Sequence, residues 1–188
     1  MTEGATETAV RGDSGVATAA LVASRVVDVP DFPKPGVVFK DLSPVFADGA
    51  VFHRVIDAMV DHYGDGFDVV VGIEARGFVL AAAVAYATGA GVVPVRKAGK
   101  LPRAAYAASY ELEYGTAELE VHRDAFGPGQ RVLVVDDVLA TGGTAEASLA
   151  LVERAGGTVA GFTVVLELGF LGGRTRLAPR PVHALLSV

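Results

Sequence analysis

The sequence predicts an α/β protein with a single three-layer domain, and three observations carry that reading. Short apolar runs rich in Val, Ile and Leu, at Asp68–Ile73, Gly91–Val95, Arg131–Asp136 and Val159–Leu168, suit strands of a parallel sheet that is buried on both faces. Segments with helical spacing of apolar residues alternate with them. Hydrophobic residues make up 51% of 188 positions, enough for one substantial core.

Taken in order, residues 1 to about 16 are small and polar without an apolar period, and are expected to be a disordered extension. The single domain then spans residues 17–188. A short helix is expected through Ala19, Val22 and Val26, stopped by Pro30, Pro33 and Pro35. Asp48 is placed to start a helix in which Val51/Phe52, Val55/Ile56 and Met59/Val60 fall one turn apart. The strand Asp68–Ile73 leads to a helix from about Gly77 to Thr88 and then to the strand Gly91–Val95. Residues Ala98–Ala108 lack an apolar period and are expected to form a long loop. Two paired strands are expected to flank Tyr114–Thr116. The strand Arg131–Asp136 precedes a helix from about Thr144 to Ala155, and a long strand follows at Val159–Leu168. No internal repeat and no linker to a second domain is visible.

Composition removes several classes of function. The chain has no cysteine, which excludes disulfides, thiolate metal sites and a thiol nucleophile, and fits a cytoplasmic protein. A net charge of −6 leaves no global footprint for nucleic acid or an anionic membrane. The N-terminal stretch does not have the pattern of a signal peptide. Phe78–Val95 is uncharged over 18 residues, but Thr88, Gly89, Gly91 and Pro94 divide it into a helix and a strand rather than a membrane span. His53, His62, His122 and His183 show no metal-ligand spacing.

The most informative segment is VLVVDDVLATGGT, Val132–Thr144. Four apolar residues end in Asp136 and Asp137, and a short turn carries Thr141, Gly142, Gly143 and Thr144 into a helix. Alone, a pair of acids is an ordinary strand end and TGG an ordinary turn. Together they are costly to bury without a purpose. Ligands of open α/β sheets bind beyond the carboxyl ends of the strands. The glycines allow close backbone approach, the threonines add hydroxyl donors, and the helix start attracts an anion. Ionised Asp only accepts hydrogen bonds, so the acids suit sugar hydroxyls. One strand-turn-helix thus offers a place for a ribose 5-phosphate. The dinucleotide motif GxGxxG and the P-loop pattern GxxxxGK[ST] are both absent.

A second cluster is basic. Arg96, Lys97, Lys100 and Arg103 fall within eight residues that contain no acid, directly after a buried strand. At the ligand edge of a sheet they suit a pyrophosphate, Arg through paired donors and Lys as a point charge. Arg76, following Asp68–Ile73, is expected at the same edge.

The Val132–Thr144 string resembles the phosphoribosyl pyrophosphate (PRPP) signature of the type I phosphoribosyltransferases. DFPKPGVVFKDLSP (Asp31–Pro44), GIEARGF (Gly72–Phe78), VPVRKAGKLP (Val93–Pro102) and SYELEYGTAELEVH (Ser109–His122) narrow the likeness to the adenine phosphoribosyltransferase family. It extends from about Val29 nearly to the last residue. The resemblance implies the family's three-layer parallel-sheet fold with a small hood and a flexible catalytic loop. It implies the reaction of adenine with PRPP to give AMP and pyrophosphate, a step of purine salvage.

Carried over position by position, Ala140, Thr141, Gly142, Gly143 and Thr144 form the 5-phosphate loop, and Asp136 and Asp137 bind the ribose hydroxyls. Arg76, Arg96, Lys97 and Lys100 serve the pyrophosphate. Glu113, beside Tyr114 in the catalytic loop, is the candidate acid-base residue, and Ala98–Tyr114 is expected to act as a lid ordered by ligand. Val38 and Lys40 of the hood, with Leu168 opposite, form the adenine pocket, largely through backbone groups; Lys40 stands where relatives often have Arg. Mg²⁺ is expected to arrive on the PRPP phosphates with no direct protein ligand, Asp136 and Asp137 reaching it through its waters. The resemblance further implies a non-proline cis peptide at Glu74–Ala75 and a homodimer with the neighbour near the mouth of the site.

Two other readings compete. A PRPP-binding transcriptional regulator would need a DNA-binding module, and fewer than thirty residues precede the matched region. A phosphoribosyltransferase for a 6-oxo purine or orotate is opposed by the PGVVFKD and SYELEYG segments.

Overall fold

A computed structural model describes residues 15–111 and 116–188. Residues 15–23 are helical (α1), so Gly15 and Val16 belong to this helix and Val26 lies beyond its end. Two short strands follow, β1 (Val27–Pro30) and β2 (Val38–Asp41), paired antiparallel as a separate ribbon that the sequence pattern did not indicate. They are only four residues each, too short to declare a period. Then come α2 (Ser43–Ala47) and α3 (Gly49–Tyr63). Asp48 caps α3 as expected, its Oδ1 accepting from the N–H groups of Ala50 at 3.1 Å and Val51 at 3.2 Å.

The remaining elements are β3 (Val69–Ile73), α4 (Gly77–Thr88), β4 (Gly91–Lys97), β5 (Ala105–Glu111), β6 (Thr116–His122), β7 (Arg131–Leu139), α5 (Gly143–Arg154), β8 (Thr158–Glu167), the short helix α6 (Gly173–Leu177) and β9 (Val182–Ser187). Among the described residues, seven strands form one sheet in the order β5-β6-β4-β3-β7-β8-β9. From β4 to β9 all neighbours run parallel, while β6 is antiparallel to both β4 and β5. The sheet is therefore mixed, with an antiparallel hairpin at one edge.

Alternation along the central strands divides the core into two layers. Val69, Val71, Val132 and Val134 face α5 together with Leu149 and Val152, whereas Val70, Leu133 and Val135 face α3 and α4 with Val55, Met59, Leu80 and Val84.

Three expectations are corrected. The loop expected at Ala98–Ala108 ends early, because Ala105 onward is β5, paired with β6 from Ala105↔His122 to Glu111↔Thr116. Its alanines and serine hide the start of a strand expected only nearer Tyr114, since nothing in AYAASYE alternates strongly. The strand expected to end at Asp136 continues to Leu139, so both acids lie inside β7 rather than at its end. Finally, β9 pairs with β8 at the other sheet edge, where no strand was expected.

Candidate active site

The geometry of the cleft begins with where strand pairing stops. Strand β7 pairs with β3 only as far as Gly72↔Val135, but with β8 as far as Leu139↔Glu167. Past Val135 the sheet opens between β3 and β7. It opens where the chain, leaving β3 toward β4 on one side, leaves β7 toward β8 on the other. Such a switch point is where open α/β sheets bind ligands. Asp136 and Asp137 are the first residues of β7 beyond its pairing with β3.

Helix α4 starts against this opening. A Cβ on Gly77 would lie 2.7 Å from the Val135 carbonyl oxygen and 3.0 Å from Asp136 Oδ1, so only glycine permits the approach. Arg76 sits at the N-cap of α4, with Nε 2.8 Å from Asp137 Oδ2. The pair is close in distance but poorly aligned, and among the described residues buried Asp137 Oδ2 finds no hydrogen bond. The same guanidinium lies 5.5 Å from the ring centre of Phe39 on β2, which ties the ribbon to the cleft. Asp136 Oδ1 accepts from the Asp137 N–H at 2.9 Å. Burial first, and the charge of Asp137 second, hold the Asp136 carboxyl well above the usual carboxylate range. Asp137 Oδ2 therefore lacks a donor, which a sugar hydroxyl would supply.

The turn Ala140–Gly143 and the start of α5 enclose a cavity of about 90 Å³, walled by Asp136 on one side and Phe162 beneath. Gly142 is the N-cap of α5 in the left-handed region at φ 85°, and no side chain caps the helix. The first N–H groups of a helix have no partner within it, so they remain available to an anion. The loop leans on a segment thirty residues away. A Cβ on Gly173 would collide with the Ala140 carbonyl oxygen and come within 2.9 Å of a Leu139 methyl. Gly173 is a site residue that the sequence reading missed; the Gly172–Gly173 pair was its visible trace.

The basic cluster is organised by a residue that was also missed. The Glu74 side chain, 9% exposed, lies 2.5 Å from Lys100 Nζ and 3.4 Å from Arg96 Nε, and accepts from the Lys97 N–H at 2.9 Å. Hydrogen bonding by Lys100, opposed in part by burial, holds the Glu74 carboxyl below its ordinary range. Lys97 thus enters through its backbone while its side chain is exposed. Arg103 turns away to pair with Asp124, with 2.5 Å between Nη1 and Oδ2. The peptide Glu74–Ala75 is cis.

Of the residues expected to hold the base, Val38 is half exposed on β2, and Leu168 is half-buried just past β8, its N–H donating to the Leu139 carbonyl at 2.9 Å. Lys40 Nζ is held by both oxygens of Asp28, at 2.7 and 2.8 Å. A cavity of about 280 Å³ lies between the ribbon and the ends of β8 and β9, with Lys40, Asp28, Leu166 and Leu186 in its wall. As an outer strand of a two-stranded ribbon, β2 keeps one backbone edge unpaired. Glu113 and Tyr114 lie outside the described residues. Among the described residues no three His, Cys, Asp or Glu side chains gather as a metal site, and no helix is long and apolar enough to cross a membrane.

Comparison with known proteins points one way. The family model of the phosphoribosyl transferase domain matches residues 46–179. Adenine phosphoribosyltransferase from Salinispora arenicola is 78% identical over 189 aligned positions, covering the whole of both chains. The crystal structure of adenine phosphoribosyltransferase from Rhodothermus marinus aligns with a TM-score of 0.87 at 48% identity, over 92% of this chain and 99% of that one. The Saccharomyces cerevisiae enzyme, solved with D-2,5-dideoxy-2,5-imino-altritol 1,6-bisphosphate and adenine, gives a TM-score of 0.87 at 39% identity, over 91% and 99%.

Proposed function

Because the chain belongs to the adenine phosphoribosyltransferase family, we propose that the opening between β3 and β7 holds one PRPP molecule and presents it to adenine. The enzyme is a transferase of purine salvage that moves the 5-phosphoribosyl group of PRPP to adenine, giving AMP and pyrophosphate. The observation that carries the placement is the acid pair standing beside an uncapped helix start at the switch point of the sheet.

In this reading the 5-phosphate takes the N–H groups of Ala140–Thr144, and the ribose hydroxyls donate to Asp136 and Asp137. The pyrophosphate faces Arg76, Arg96, Lys97 and Lys100. As the bond from the anomeric carbon to the pyrophosphate oxygen breaks, its electron pair leaves with pyrophosphate, and these cations stabilise the growing charge. The acid pair lies on the ribose side, where positive charge develops. Adenine N9 forms the new bond and loses its proton, and Glu113 is the proposed group that handles it. The cleft must exclude water, since water would compete as the nucleophile.

Mg²⁺ fits the chemistry of the site: Asp136 and Asp137 are oxygen donors, and Asp137 Oδ2 has no hydrogen bond to lose. When bound to PRPP it would neutralise pyrophosphate charge, with the two acids reaching its waters. Adenine is proposed to sit between Val38 and Leu168 with its edge on the unpaired backbone of β2. Lys40, neutralised by Asp28, offers no free cation to a 6-oxo group, which favours a 6-amino purine. Steady-state assays with adenine, hypoxanthine, guanine and orotate test this; turnover of a 6-oxo base at the adenine rate would refute the pocket.

The reading includes a homodimer. Helix α4 is apolar all round, and Val79, Ala82 and Tyr86 form an exposed stripe, with Tyr86 92% exposed. A helix apolar on every side is ordinarily buried on every side, and a second copy would cover this one. Sedimentation of a fully active monomer would exclude it. A cytoplasmic location is part of the same reading, supported by the absence of cysteine and by substrates that carry several phosphate charges.

A further inference from the structure

We propose that Glu74 is a positioning residue that sets the pyrophosphate cations in place before substrate arrives. The inference rests on the reading that Arg96 and Lys100 bind the pyrophosphate. The Glu74 carboxylate joins Lys100 Nζ at 2.5 Å and Arg96 Nε at 3.4 Å, and its own position is fixed by the Lys97 N–H at 2.9 Å. Arg96 closes the figure by donating from Nη1 to the Lys100 carbonyl at 3.3 Å. The next residue along the loop is held too, since the Gly99 N–H donates to Glu120 Oε2 at 3.0 Å.

Without an anion between them, two neighbouring cations repel and their long side chains spread over many rotamers. Glu74 removes both problems. It is almost covered, whereas Lys100 and Arg96 are 48% and 34% exposed, so the carboxylate lies behind the cations and their outer faces stay open to a ligand. An anion of higher charge can then bind the exposed donors while Glu74 holds them from the rear. The supporting residue is fixed by backbone, which is the arrangement that keeps a binding group in register.

The test uses Glu74→Gln, an isosteric change that can still accept from the Lys97 N–H. Inorganic pyrophosphate is titrated by calorimetry into wild type, Glu74→Gln, Lys100→Met and the double variant, and initial rates are measured against PRPP and against adenine. Loss of preorganisation predicts that Glu74→Gln weakens pyrophosphate binding and raises KM for PRPP by about tenfold, with KM for adenine unchanged. Glu74→Asp, which keeps the charge, should recover part of the loss. The double variant should bind little worse than Lys100→Met, since both changes disable the same contact. Pyrophosphate that binds Glu74→Gln equally well or more tightly overturns the proposal, because Glu74 would then be a bystander or a competitor. If Lys100→Met and Arg96→Met both leave pyrophosphate binding intact, the pyrophosphate reading falls and this proposal with it. Should Glu74→Gln fail to fold, Glu74→Asp carries the same measurement, and unchanged affinity for pyrophosphate in it, with the shorter carboxylate withdrawn from Lys100, is the overturning result.

Discussion

The two anion cradles proposed for this cleft are built on opposite principles. The loop Ala140–Thr144 uses backbone: an uncapped helix start, a left-handed Gly142, and glycine packing at Gly173 that admits no Cβ. The cluster around Glu74 uses side chains: a nearly buried carboxylate that holds Lys100, Arg96 and the Lys97 N–H. The first carries partial charges fixed by the fold, the second full charges that must be held apart and in place. Backbone donors cost nothing to orient once the sheet has formed; charged side chains need a counter-ion to stay oriented. If both cradles bind as proposed, the difference teaches that one site can take the two ends of a polyanion by different physics.

The largest expected effect lies between the cradles. Replacing Asp136 and Asp137 together by Asn should lower turnover about a thousandfold or more, since Asn does not restore a charge beside the ribose. Thermal stability should stay similar or rise, because two crowded acids are relieved. A double variant that unfolds would make the pair structural. Next comes the backbone cradle itself. Gly173→Ala forces a methyl group onto the Ala140 carbonyl, and should cost about a hundredfold in kcat/KM for PRPP and about 1–3 kcal/mol of stability. Unchanged PRPP kinetics would show that the loop does not depend on this contact.

A smaller effect comes from a third region. The rings of His62 and His183 stack with centroids 3.7 Å apart, and Thr163 Oγ1 lies 3.2 Å from His183 Nδ1. Burial, followed by the charges of His62 and Arg174, lowers the His183 pKa from 6.5 to about 4. An unfolded His protonates near the higher value and the folded one only near the lower. Unfolding between them therefore takes up a proton, so stability is complete above pH 6.5 and declines as pH falls toward 4. The loss should be roughly 1–2 kcal/mol once partial exposure is allowed for. Melting curves of wild type and His183→Gln at pH 7 and pH 5 measure it; equal pH slopes would remove His183 as the cause. The cradles are consequently best compared above pH 6.5. The smallest effect is expected at Arg103. It belongs to the basic run in sequence but pairs with Asp124 in space, so Arg103→Ala should leave pyrophosphate affinity and melting temperature unchanged.

The legibility of the two cradles in the sequence follows the same division. The phosphate loop and acid pair occupy thirteen consecutive residues, Val132–Thr144, so local spacing was enough to suggest them. The Glu74 cluster joins residues 22 to 26 positions apart, and only folding reveals that one acid serves three neighbours. Arg103 and Lys97 stood in the same basic run, yet one side chain leaves the cluster and the other contributes its backbone. The central strands and α4 were plain because buried parallel strands are continuously apolar. The hairpin β5–β6 was expected, but not the start of β5 at Ala105, and β9 was not expected at all, because edge strands are half-buried and lose that signature. The ribbon β1–β2 was legible only through its likeness to the family's hood.

The glycine contact beneath the phosphate loop has a consequence for inhibitor design. Resistance arises when a protein exchanges the side chain that an inhibitor grips and keeps the one its substrate needs. The donors offered by Ala140–Thr144 are peptide N–H groups, which no substitution can delete short of proline. The positions that shape them, Gly142 and Gly173, have no room for a side chain. A compound that takes its anionic anchor from this loop would grip positions at which no side chain can be exchanged.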